Sequence, residues 1–150
     1  MESINIGLAG LGTVAQGFLE IFGQKKQALS DKLGRELKIA KVASRSQKVD
    51  LEELGAVFST ELSSLVEDPT IDVVIELIGG ERDALELISA ALKKNKHVVT
   101  ANKEVIAKHG NSFKGEIDSG QLRFEAAVAG AIPILPVSYT HLTLPTSSRV

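Results

Sequence analysis

Gly7-Leu8-Ala9-Gly10-Leu11-Gly12-Thr13-Val14-Ala15-Gln16-Gly17 is the stretch on which the fold turns. Its centre, Gly10-x-Gly12-x-x-Ala15, fits the G-x-G-x-x-G/A fingerprint that joins a strand to a helix at a dinucleotide site. In that arrangement Gly10 permits a tight turn and Gly12 lets the backbone approach a pyrophosphate. Ala15 keeps the helix close to the strand. The diphosphate then rests on the N–H groups that the first helical turn leaves without partners. As a bare pattern the same letters also describe an ordinary glycine turn, so the flanking sequence has to decide.

Upstream, Ile4 to Ala9 is a short apolar run that the glycines end. Downstream, Val14, Phe18, Ile21, Phe22 and Leu29 recur at spacings of three, four or seven, which predicts an amphipathic helix from Thr13 to about Leu29. Leu37 to Ala43 reads as a second strand, with Lys38 and Lys41 pointing to a position near the sheet edge. Asp72 to Ile78 contains Val73-Val74-Ile75-Glu76-Leu77-Ile78, the almost continuous apolar run of a central parallel strand covered on both faces. A helix over Ala84 to Leu92, a strand from His97 to Thr100, a helix from Ala101 to Lys108 and a strand from Gln121 to Ala126 complete the alternation. Repeated βα units of this kind predict an α/β fold, a doubly wound parallel sheet whose strand ends line one ligand-binding edge.

Composition sets the outer limits. The chain has 150 residues, 43% hydrophobic and 24% charged, with a formal net charge of -2. That is enough for one domain with its own core, and it gives no electrostatic reason to expect nucleic acid or an anionic membrane as partner. There are no cysteines, which excludes disulfides, thiolate metal sites and a cysteine nucleophile. The start Met1-Glu2-Ser3-Ile4-Asn5 lacks the basic region of a signal peptide, and no apolar run approaches the roughly 20 residues of a bilayer span. A cytoplasmic protein acting on a small molecule is the expectation.

Three further positions carry candidate chemistry. The second strand ends Val42-Ala43-Ser44-Arg45-Ser46, with no carboxylate until Asp50. An acidic residue here would bind the ribose 2′-OH of NAD, whereas an arginine accommodates the 2′-phosphate of NADP. Arg45 therefore favours NADP; a solvated loop arginine is the other reading. Glu76-Leu77-Ile78-Gly79-Gly80 leaves the central strand through a glycine pair, which places Gly79 on the ligand edge. Val98-Val99-Thr100-Ala101-Asn102-Lys103 leaves the next strand in the same way. A lysine there can donate to a carbonyl oxygen or hold the nicotinamide side of a site, and it also fits a surface lysine in a first helical turn. His97, beginning a strand, and His109, at a helix end, read as structural.

Taken together, Gly-Leu-Gly-Thr-Val at Gly10 to Val14, Glu-Leu-Ile-Gly-Gly at Glu76 to Gly80, Lys-His-Val-Val-Thr-Ala-Asn-Lys at Lys96 to Lys103, and Phe-Glu-Ala-Ala-Val-Ala-Gly-Ala-Ile-Pro-Ile at Phe124 to Ile134 resemble homoserine dehydrogenase in order and spacing. The resemblance implies a Rossmann-type NAD(P)-binding domain over residues 1–134. Its enzyme interconverts L-homoserine and L-aspartate 4-semialdehyde with NAD(P)H, on the route to threonine, isoleucine and methionine. It further implies a catalytic role for Lys103 beside the nicotinamide and cofactor contacts from Thr13, Val14, Arg45 and Thr100. Main-chain carbonyls of Glu125, Val128, Gly130 and Ile132 would bind sodium or another monovalent cation; locally, that stretch reads only as a small-residue connection. In the family a second domain follows, which binds substrate, forms the homo-oligomer and carries a second catalytic lysine. Residues 135–150 depart from the pattern, and the expectation is a non-family tail and a chain inactive on its own. Two other readings are open: another two-domain oxidoreductase, such as an aspartate-semialdehyde dehydrogenase with its cysteine nucleophile, and a stand-alone nucleotide-binding module.

Overall fold

In the computed structural model, which describes residues 3–46 and 50–125, β1 (Ser3–Ala9) sits in the middle of the sheet. Its alternation explains that position. Ile4, Ile6 and Leu8 are buried on one face, and the small Gly7 and Ala9 lie on the other. A Cβ on Gly7 would come within 3.1 Å of Leu65 and 3.2 Å of Ile71, so glycine there admits the layer that packs closest.

Five further strands join it: β2 (Glu36–Ala43), β3 (Val57–Ser59), β4 (Val73–Glu76), β5 (His97–Thr100) and β6 (Leu122–Phe124). Their order is β3-β2-β1-β4-β5-β6, and every pairing is parallel. This is the doubly wound order, with its switch point between β1 and β4. β4 is buried at all four residues, as the apolar run predicts for a central strand.

The helices are α1 (Thr13–Leu33), α2 (Ser63–Glu67), α3 (Arg82–Lys93), α4 (Lys103–His109) and α5 (Lys114–Ser119). Two apolar clusters mark the two faces of the sheet. One joins Phe18 and Phe22 of α1 to Ile4, Ile6, Leu8, Leu37, Ile39, Val73, Ile75 and Val99. The other joins Ala84, Leu87, Ile88 and Ala91 of α3 to Leu65, Val74, Val98, Val105 and Leu122. Each fully buried aliphatic or aromatic side chain stabilises the fold by about 1.5–3 kcal/mol, so both layers are needed to hold the sheet.

The structure refines three expectations. α1 continues to Leu33, because the charged segment after Gln24 stays helical until Gly34 adopts a left-handed φ of 72°. β2 is one strand in from the edge, covered by the short β3, and Lys41 is ion-paired to Asp68 at 3.0 Å rather than facing open solvent. Val14 does not join the helix's apolar stripe: it is 48% exposed at the start of α1, while Ala15, Phe18 and Phe22 are buried. No helix among the described residues is long and apolar enough to cross a membrane.

Candidate functional site

The turn after β1 is shaped by two glycines with different tasks. Gly10 has φ +106°, and a Cβ there would lie 2.8 Å from the carbonyl oxygen of Leu77. This glycine is required by the fold, since the loops after β1 and β4 touch across the switch point. Gly12 is in extended conformation, φ -74° and ψ -167°, and a Cβ there would meet nothing within 4 Å. The space beside it is open rather than filled by protein. Gly12 is also the N-cap of the 21-residue α1, whose first turn carries no acidic residue. Unpaired N–H groups and the positive end of the helix dipole therefore face that space.

A cavity of about 830 Å³ adjoins this turn, lined by Gly10, Leu11, Gly12, Leu77, Ile78 and Gly79 on one side and by Ser44, Arg45 and Ser46 on the other. Its size falls within the range of small-molecule sites. Thr13 and Arg45 are exposed, and Val14 projects from the same first turn. Thr60, Glu61, Leu62, Ser63 and Asp83 complete the wall. They come from the stretch around the short β3 and α2, where no periodic pattern marks an element, and from the first turn of α3. The structure thus brings together the glycine turn, Arg45 and Gly79, which the sequence singles out separately.

Thr100 and Lys103 lie on the same carboxyl edge, beyond β4. Lys103 is exposed as the first residue of α4. Asn102 caps that helix, its side-chain oxygen accepting from the Val105 N–H at 3.0 Å. Thr100 is fully buried; its hydroxyl donates to Glu76 and accepts from the Asn102 N–H at 3.0 Å. Glu76 is itself 0% exposed, and the Ile78 N–H donates to its second oxygen at 2.9 Å. Burial pushes the Glu76 carboxyl above the usual range, against the opposing hydrogen bonds from Thr100 and Ile78. In the sequence this glutamate is one polar letter in an apolar run. The position that signals its use is its place at the last strand residue, directly before the ligand-edge loop.

The two described histidines have different settings. His109 Nε2 lies 2.7 Å from Glu81 Oε2, and Lys108 donates to the other oxygen at 2.9 Å, so Glu81 ties the end of α4 to the start of α3. Lys108 and then His109 hold the Glu81 carboxyl below its usual range. His97 opens β5 at the opposite edge of the sheet from the glycine turn, beside Lys96, whose ammonium donates to the carbonyls of Asp68 and Ile71 at 2.8 Å each. Glu125 is half-buried, and its N–H donates to the Thr100 carbonyl at 2.9 Å. Val128, Gly130 and Ile132 lie outside the described residues, as does the 135–150 segment.

The family model for the NAD-binding domain of homoserine dehydrogenase matches residues 10–121. Homoserine dehydrogenase from Bacillus subtilis (strain 168) is 39% identical over 141 residues, covering 90% of this chain, and that from Pseudomonas aeruginosa is 37% identical over 137. In both cases the chain spans 32% of the relative's length. Among solved structures, a homoserine dehydrogenase from Thiobacillus denitrificans superposes with TM-score 0.73 at 39% identity, over 85% of this chain and 30% of that one. The S. aureus enzyme at pH 7.0 gives 0.73 at 30% identity, over 84% and 33%. An NAD binding oxidoreductase from Klebsiella pneumoniae, 20% identical with TM-score 0.63, shares the fold alone. With a glycine turn at the switch point, a cavity opening beside it and a family match across residues 10–121, the chain belongs to the homoserine dehydrogenase family, as its NAD-binding domain.

Proposed function

We propose that the chain is the cofactor-holding part of an enzyme that interconverts L-homoserine and L-aspartate 4-semialdehyde, on the route to threonine, isoleucine and methionine. The observation that carries this reading is the open space at Gly12 beside the cavity, within a stretch that the family model matches from end to end. A bound nicotinamide cofactor supplies the hydride chemistry; the chain's residues bind and orient it. The N–H groups of the first turn of α1, with Thr13 and Val14, take the diphosphate. Gly79 leaves room over the loop after β4. Lys103, on the adjacent loop, holds the nicotinamide side and polarises the carbonyl oxygen of the substrate, which becomes the hydroxyl when the semialdehyde is reduced.

Within this reading NADP is preferred over NAD. Arg45 and its flanking serines line the cavity, and among the described residues no carboxylate stands between Ala43 and Asp50. Charge-assisted hydrogen bonds to a phosphate contribute about 1.5–3 kcal/mol. Arg45→Ala is expected to weaken NADPH binding roughly ten- to a hundredfold and to leave NADH within a factor of two or so. Parallel titrations decide it, and equal affinities unaffected by the substitution would remove the preference.

The domain assignment belongs to the same proposal: residues 1–134 form the cofactor domain, and 135–150 stand outside its pattern. So does the cation. Glu125, Val128, Gly130 and Ile132 would offer main-chain carbonyls to sodium, and a homo-oligomer would form through the substrate-binding part of the enzyme. The activity is tested by joining the chain to the remaining two-thirds of a family member and following homoserine-dependent reduction of NADP at 340 nm. Lys103→Ala is expected to lower turnover by about 10²- to 10⁴-fold, the span of a positioned acid–base group, with cofactor affinity changed only a few fold. Turnover that survives the substitution would take the catalytic role away from Lys103.

A further inference from the structure

We propose that Glu76 is a positioning residue for the nicotinamide side of the cofactor site, its carboxylate locking the loop after β4 to the first turn of α4. The inference rests on the cofactor reading above and adds to it a residue that never touches the cofactor. Glu76 ends β4 fully buried, and among the described residues no cation pairs with it. A carboxylate at that depth is unfavourable unless its oxygens are filled by donors. Here each oxygen is filled from a different segment: one by the Thr100 hydroxyl at the end of β5, the other by the Ile78 N–H in the loop just after β4.

The direction of these bonds sets the rest of the chain. Thr100 has one hydroxyl proton and gives it to Glu76, which leaves its lone pairs to accept from the Asn102 N–H. Asn102 then works at both ends. Its amide nitrogen donates to the Gly80 carbonyl, returning to the loop that Ile78 began, and its amide oxygen caps α4 at Val105. The ring runs from Glu76 through Thr100 and Asn102 to Gly80, and the loop from Leu77 closes it. Gly79 stands inside that loop and Lys103 directly follows Asn102, so one buried carboxylate sets the separation of the two segments. Arg45 and its serines hang from β2, two strands away across β1, and the ring does not reach them.

An amide cannot replace this carboxylate. Glutamine would present a donor either to the Ile78 N–H or to the Thr100 hydroxyl, and one bond of the ring would reverse or open. The adenosine half of the cofactor, held from β1 and β2, should not register the change, whereas the nicotinamide half should.

The test is calorimetric titration of the whole chain with NADPH and with adenosine 2′,5′-bisphosphate, which has the adenosine end and no nicotinamide. The wild type should bind NADPH the more tightly. Glu76→Gln should weaken NADPH by about tenfold and change the bisphosphate less than about twofold. Asn102→Ser, which keeps a capping oxygen and loses the donor to Gly80, should do the same, and it carries the test alone if Glu76→Gln does not fold by circular dichroism. Equal losses for both ligands, an unchanged NADPH affinity in a folded variant, or a wild type that binds the two ligands equally would each overturn the proposal. A wild type that binds neither would overturn the cofactor reading, and this inference with it.

Discussion

Gly12→Val is expected to fold normally and to lose cofactor binding altogether, by at least about a hundredfold for NADPH and NADH alike. The backbone at Gly12 is extended, with φ -74°, so a branched residue is sterically allowed there. A Cβ would touch no protein atom within 4 Å. The isopropyl group would instead occupy the space that a diphosphate needs against the first turn of α1. The variant's circular dichroism and thermal midpoint should match the wild type within a few degrees. A folded variant that still binds would place the phosphates somewhere else.

Two residues earlier the same substitution should have the opposite profile. Gly10→Val is expected to destabilise the protein by about 2–6 kcal/mol, from roughly 1–3 kcal/mol of left-handed backbone strain and a similar cost of overpacking. Gly10 has φ +106°, and its Cβ would press to 2.8 Å on the Leu77 carbonyl. That carbonyl cannot move aside easily, because the Leu77 N–H is tied to the Ala9 carbonyl at 2.9 Å. Since domains of this kind are stable by only about 5–15 kcal/mol, much of the margin would go. Chemical denaturation of wild type and variant measures it, and a loss below about 1 kcal/mol would mean that the turn adapts.

The contrast between the two glycines shows what the sequence could carry. The fingerprint placed both in one turn, and their division of labour followed from its mechanism, but which glycine has the positive φ depends on the approach of Leu77 from β4. The regular elements were legible because their apolar residues recur at a constant period: Ile4, Ile6 and Leu8 along β1, and Phe18 and Phe22 on α1. β3 and α2 were not, because three- and five-residue elements are too short to show a period, and the Thr60 to Ser63 wall of the cavity went unseen with them. Val14 fitted the helical period and is exposed instead, since the first turn of a helix at a sheet edge projects beyond the core. Glu76 was hidden by its neighbours. A lone glutamate in an apolar run looks like the solvent end of a strand, and only the partners from Thr100 and Ile78 reveal a buried acceptor.

In the proposed complex a nicotinamide cofactor lies across the carboxyl edge of the sheet, from Arg45 past the glycine turn to Lys103. The most direct measurement is a two-dimensional amide NMR titration of the chain with NADPH. Saturable shifts are expected at Gly10, Gly12 and Thr13, at Ser44 to Ser46, at Gly79 and at Asn102 to Lys103, with the opposite edge around Lys94 to His97 unmoved. Shifts confined to that opposite edge, where a second cavity of about 430 Å³ lies, or the absence of any saturable response, would contradict it.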